Sequence, residues 1–262
     1  MKELIFIFIF AATCAFAQQP TPSLEQIKIA ADAGDPAAQD KMAERDTANA
    51  VMWYRKAAQQ GYVHAQGKLG DRLLMRAQLT IGVKPEERAA LIDEGGKWAI
   101  LAANQGDKQG QATLAWIYLN GKLVKQDLIE AYKWGDLSAK NPSFEFILFA
   151  GASSRDSAIL KMDANQIAEA KRRVAAFVPH QPDKSELPKP AWMEKIKLQG
   201  ISGTADHRLA IINGRTMAKG DVVTVTIDGN SVNIHCLEVS ESSASISIEG
   251  IDGMRELKIS GR

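Results

Sequence analysis

Small and large apolar residues recur along this chain at offsets of three, four, seven and eight positions, a spacing that collects them on one face of an α-helix. Three tryptophans carry the pattern, in WYRKAAQQG from Trp53, WAILAANQG from Trp98 and WGDLSAKNP from Trp134. Each has a small residue three positions before it (Ala50, Gly95, Ala131). Each is followed at the fourth and fifth positions by Ala57 and Ala58, Ala102 and Ala103, or Ser138 and Ala139. A helix presenting one Trp beside a strip of small residues is therefore repeated, and repetition on this scale predicts a stack of helix pairs. The interval is 36 residues from Trp98 to Trp134 and 45 from Trp53 to Trp98, while an earlier AADAG lies 27 before AAQQG.

Aligning the copies on Gly34, Gly61 and Gly106 reveals a second phase. Ala38, Ala65 and Gly110 fall together, then Met42, Leu69 and Leu114, then Ala43, Gly70 and Ala115. This predicts a first helix with small, large and small residues on one side, which lets its partner approach closely. The glycines themselves suit a left-handed residue just past a helix end.

These residues resemble the Sel-one-like repeat (SLR), a relative of the tetratricopeptide repeat. Its consensus runs roughly Trp-Tyr-x-x-Ala-Ala-x-x-Gly, then Ala-x-x-x-Leu-Gly, then a Gly-containing loop. The fullest copy is residues 109–140, with a Leu119-Asn120-Gly121 turn and an Asp127 that opens the second helix. The first copy lacks the long loop between its helices, and the second has the stretched segment IGVKPEERAALIDEGG in its place. Residues 163–177, DANQIAEAKRRVAAF, open on an Asp-x-x-Gln capping pattern and read as the helix that closes the array. The resemblance covers about residues 30–178 and implies a helical solenoid that docks a protein partner.

From residue 178 the pattern changes. VPHQPDKSELPKPAWM holds Pro179, Pro182, Pro188 and Pro190, a density that favours an extended connector and excludes a regular helix. After it, KIKLQGI, RLAII, VVTVT, SVNIHCLEV, SASISI and MRELKI alternate with period two between NG, AKGD, IDGN and EGIDG. About six strands in so short a stretch predict a small antiparallel β-barrel or sandwich. The Asn213-Gly214 pair suits a type I′ turn. The string from Leu198 to Val223, with Ala210 to Gly214 and Lys219 to Asp221, resembles the periplasmic homology-region domain of type II secretion inner-membrane components and type IV pilus lipoproteins. That resemblance implies a region that binds machine components by β-sheet contacts. The transmembrane helix that usually precedes it is missing here.

The first seventeen residues read as a signal peptide. Lys2 precedes a short apolar run, and Ala15-Phe16-Ala17 is a small-x-small cleavage site. The expected organisation is a leader at 1–17, helical repeats at 18–178, a Pro-rich linker at 179–193 and an all-β region at 194–262. Localisation is expected to be exported, periplasmic or secreted, with no membrane span after cleavage. Of the two cysteines, Cys14 leaves with the leader, so Cys236 stands alone and reads as a small buried apolar residue.

Lys and Arg number 32 against 31 Asp and Glu, a net charge of +1 that offers no electrostatic footprint for nucleic acid. His64, His180, His207 and His235 form no metal-ligand spacing. No Ser-x-x-Lys or Gly-x-Ser-x-Gly nucleophile motif is present. No catalytic, cofactor-binding or metal residue is assigned. Lys56, Gln59, Gln60, Lys97 and Asn104 are polar on the Trp helices, as a solvated face would be. The expectation is a non-enzymatic adaptor, its helices docking one protein and its β-region a second envelope, secretion or pilus component. The alternative is an enzyme or regulator acting on peptidoglycan or β-lactams.

Overall fold

The computed structural model describes residues 22–140, 146–227, 230–249 and 251–259. The leader expected at residues 1–17 lies outside them. Among the described residues, helices come first: α1 (Leu24–Asp32), α2 (Pro36–Arg45), α3 (Ala50–Gln59), α4 (Val63–Leu79), α5 (Pro85–Asn104), α6 (Lys108–Asn120), α7 (Leu128–Ala139), α8 (Phe146–Ile159) and α9 (Ala164–Ala175). Each packs on its neighbour in sequence down to α8, α9 packs on α7, and α6 also packs on both α4 and α8. The predicted pairs are α2/α3, α4/α5 and α6/α7.

Local chemistry sets the boundaries. The carboxylates of Asp35, Asp107 and Asp127 accept backbone N–H groups in the first turns of α2, α6 and α7, satisfying donors that a helix start leaves open. Asp163 and Gln166 form the expected reciprocal capping box on α9, as Ser23 and Gln26 do on α1. Gly34, Gly61 and Gly106 stand one residue past the caps of α1, α3 and α5 with φ of +98°, +88° and +91°. The glycine recurs because this turn needs a left-handed residue at each reversal.

The second copy differs from its sequence expectation. The stretched segment is not a long loop. Only Thr80–Lys84 separates the helices, and the rest continues into the front half of α5, whose first turn starts at Pro85. This longer α5 crosses α4 where Gly70 meets Gly95. A Cβ on Gly70 would sit 2.7 Å from the Ala99 nitrogen, and one on Gly95 would sit 2.8 Å from Leu74 Cγ. Glycine at both points is what lets the two backbones approach. All three repeat tryptophans are buried, Trp98 completely.

The strands are β1 (Leu198–Thr204), β2 (His207–Ile212), β3 (Arg215–Ala218), β4 (Val222–Ile227), β5 (Asn230–Val239), β6 (Ser243–Ile248) and β7 (Ile251–Lys258). They form two antiparallel sheets, ordered β1-β2-β3 and β4-β5-β6-β7, which are not closed into a barrel. Ala210, Ile212 and Met217 of one sheet and Val225, Ile234, Ile246 and Leu257 of the other share a single apolar core. Strand β3 escaped the sequence reading because four residues with one buried side chain, Met217, show no legible alternation. The Asn213-Gly214 turn has positive φ at both residues, +46° and +76°, as a type I′ turn requires. Asn213 is also bonded through its side chain to the Lys197 N–H and the Lys195 carbonyl.

Candidate functional site

A repeating polar feature lies inside the helical stack. Gln39, Gln66 and Gln111 each stand five residues after the reversal glycine, and all three are buried. Their side-chain amides donate to the carbonyls of Ala31, Ala58 and Ala103, at 3.1, 3.3 and 3.3 Å, adding a second donor to carbonyls at the end of the preceding helix that also accept the N–H of Gly34, Gly61 and Gly106. The residue before the next glycine then reaches back. Gln60 Nε2 donates to Gln39 Oε1 at 2.8 Å, and Gln105 Nε2 donates to Gln66 Oε1 at 2.6 Å. The result is a glutamine ladder that ties each pair to the one before it. Sequence reasoning missed it, although the signal was present: a glutamine recurred in register with the small residues, where a buried position would otherwise be apolar.

A second polar group joins α2, α4 and α6. His64 Nδ1 lies 3.0 and 2.9 Å from the two Asp40 oxygens, and this pairing raises the imidazole pKa above its ordinary value. Burial pushes the Asp71 and Asp107 carboxyls up. It also moves the Tyr54 phenol to about 12, with the charges of Asp40 and Glu44 adding to the shift. On the other side, Arg55 and Glu94 form a buried ion pair at 2.9 Å between α3 and α5. Asp40 is paired with His64 and Arg55 with Glu94, while Asp71 accepts from the Thr113 hydroxyl and Asp107 from the Gly110 N–H.

The other polar residues singled out in sequence are mostly engaged within the chain. Lys56 pairs with Glu249 at 2.9 Å, Gln59 donates to the Pro188 carbonyl at 2.9 Å, and the Asn104 carbonyl accepts the His180 N–H at 2.8 Å. Lys97 pairs with Asp93 on the surface of its own helix. The solvated-face reading holds for Lys97 and Gln60, both exposed, and fails for the buried Gln59. The histidines stay apart: His180 lies beside Glu186 and His207 beside its neighbour's carbonyl. No group of three His, Cys, Asp or Glu able to hold a metal occurs among the described residues. Cys236 is free and buried, and burial raises its thiol pKa.

The proline-rich segment lies against the helices. It contains short 3-10 turns at Lys184–Glu186 and Ala191–Lys195. Leu187 packs into the core of the first repeats, while Trp192 and Met193 pack into the β core. A cavity of about 370 Å³ remains where this segment meets α3, α4 and α5, lined by Val51, Arg55, Leu73, Leu91, Glu94 and Trp192 among others. No described helix is long and apolar enough to cross a membrane.

Comparison with known proteins accounts for the helical part. Over 136 residues the chain is 32% identical to the Sel1-repeat-containing protein YjcO of Escherichia coli K12, covering 50% of this chain and 55% of that one. The YjcO proteins of Escherichia coli O157:H7 and Shigella flexneri give the same figures. The chain thus spans about half the length of the curated relatives it matches. A solved structure of a protective antigen present in uropathogenic Escherichia coli strains, described as displaying an SLR fold, aligns with a TM-score of 0.37 at 22% identity. That alignment covers 73% of this chain and 47% of the antigen. The Sel1 repeat model matches residues 39–62, 63–107 and 109–143, so the pairs α2/α3, α4/α5 and α6/α7 are Sel1 repeats.

Proposed function

We propose that this chain is a non-enzymatic protein-interaction adaptor, exported from the cytoplasm, whose helical repeats dock one protein and whose β-region docks another. The observation that carries this reading is the run of three in-phase Sel1 repeats, a module type that serves protein–protein interaction. Stacked helix pairs turn by a small angle per repeat and offer an extended surface across several copies. Charged side chains in the interior are spoken for by one another, as with Arg55 and Glu94, which fits a scaffold better than a reaction centre.

The finer reading assigns the β-region to an envelope, secretion or pilus assembly. Its support is the sequence string from Leu198 to Val223, together with edge strands such as β7 that could extend by backbone pairing. Export rests on the amino-terminal pattern of Lys2, an apolar run and Ala15-Phe16-Ala17. In vivo cross-linking of the tagged full chain, followed by identification of captured proteins, tests the adaptor. Recovery of the same envelope protein in independent experiments is the expected result, and turnover of muropeptide or β-lactam substrate by the purified chain would overturn it.

A further inference from the structure

The segment that joins the two regions runs back along the helical stack and touches it at points a bound peptide would use. Phe177 follows the last helix, yet the His180 N–H bonds the Asn104 carbonyl at the end of α5, and Pro179 lies beside Gly106. Further along, the Pro188 carbonyl accepts from Gln59 at the end of α3, and Leu187 is 8% exposed within the core of the first repeats. Two of these contacts are made by the segment's backbone and two by the side chains of Pro179 and Leu187, while Pro190 is fully buried. That division is how extended peptides are recognised: main-chain bonds hold them and buried side chains select them. Prolines at 179, 182, 188 and 190 lower the ordering cost of such a segment.

We propose that the track across the carboxy-terminal ends of α3 and α5 is a docking site for an extended, proline-containing peptide with an aliphatic anchor. In the free protein it is filled by the chain's own residues 178–190. This deepens the adaptor reading by stating what kind of partner the repeats take. Attachment in cis gives the segment a high effective concentration, so it excludes outside peptides until displaced. Displacement is feasible because Val178, Gln181 and Lys189 of the segment are exposed, so that only part of it is held by the helices. The ion pair that fastens the β-region beyond it, Lys56 with Glu249, is partly exposed.

The test uses the full chain and a fluorescent synthetic peptide of residues 178–190. Leu187→Asp removes the anchor from the cis segment and leaves the track in place. The variant should bind the peptide at least about 10-fold more tightly than the unsubstituted protein does, because the competing segment has been weakened. A control peptide carrying the same Leu187→Asp change should not bind. Amide exchange at His180 should accelerate in the variant and accelerate further when the peptide is added, because the peptide takes the place of the chain's own segment on the Asn104 carbonyl. Equal peptide affinity for variant and parent, or equal binding of the control peptide, overturns the proposal. Should Leu187→Asp lose helical circular dichroism, the variant Glu249→Lys serves instead, since it loosens the β-region from Lys56 and leaves every residue of the track in place, and equality with the parent again overturns the idea. The outcome is independent of any natural partner, so its failure would leave the adaptor reading to be judged by the cross-linking.

Discussion

The helical stack and the β-region solve the problem of a unique core in opposite ways. Every buried polar residue among those described lies in the helical part: Gln39, Asp40, Arg55, Gln59, Gln66, Glu94, Gln111, Thr113, Ser138 and Ser154. The β core has none of these and is built of Ile, Val, Ala, Met, Leu, Cys236 and Trp192. A stack of similar helix pairs could slip against itself, because one small apolar face resembles the next. The glutamine ladder removes that freedom, since a shifted pair would leave buried amides and carbonyls without partners. In the β-region, period-two alternation already fixes the register, because a one-residue slip would turn every core side chain outward.

Substitutions can break this contrast. The largest loss is expected from Ile246→Ala at the centre of the β core, about 2–5 kcal/mol from lost burial and a residual cavity. Chemical denaturation followed by circular dichroism at β wavelengths reads it. A smaller loss, about 1–3 kcal/mol, should follow Gly70→Ala, since its new Cβ would press on the Ala99 backbone. Gln66→Leu should cost a similar or slightly smaller amount, about 1–2 kcal/mol, by removing two side-chain bonds of a buried residue, one to the Ala58 carbonyl and one from the Gln105 amide, both of which keep other partners. An Ile246-sized cost for the glutamine, or no cost at all, would erase the distinction between the two cores.

The smallest effect is one of pH, and it has opposite signs in the two places. His64 has a raised pKa through its Asp40 pairing, so its stabilising contribution is complete below the ordinary histidine value and fades as pH rises through the folded one. Glu249 has a lowered pKa, chiefly from Lys56, so its contribution is complete above the ordinary glutamate value and fades as pH falls through the folded one. Lowering pH through the histidine range should therefore tighten the Asp40–His64 contact and leave Lys56–Glu249 intact, and only acid below the ordinary glutamate value should loosen Lys56–Glu249. Hydrogen exchange in α3 and β7 against α2 and α4, compared with Glu249→Gln and His64→Gln variants, would show the two trends.

The same contrast explains what was legible in the sequence. The helical repeats could be read because Trp53, Trp98 and Trp134 return in phase with small residues and with glycines that need positive φ. Each is a local requirement restated several times. The strands could be placed by alternation, but β3 could not, because a short strand gives too few positions to show a period. The interior glutamines were hidden by their own polarity, which resembles a surface until a partner carbonyl is seen. The contacts of Lys56, Gln59 and Asn104 with Glu249, Pro188 and His180 join residues far apart in the chain, and no periodicity marks such pairs.

The coupling between Gln66 and Gln105 tests most directly whether the ladder ties the two helices of a repeat together. In a double-mutant cycle of Gln66→Leu, Gln105→Leu and both, measured by denaturant unfolding, the ladder predicts a combined loss smaller than the sum of the single losses by about 1 kcal/mol, since Gln105→Leu alone strands the buried Gln66 Oε1 and the second change removes that stranded group. Strict additivity would contradict it, and would mean that the paired helices stand on their apolar packing alone.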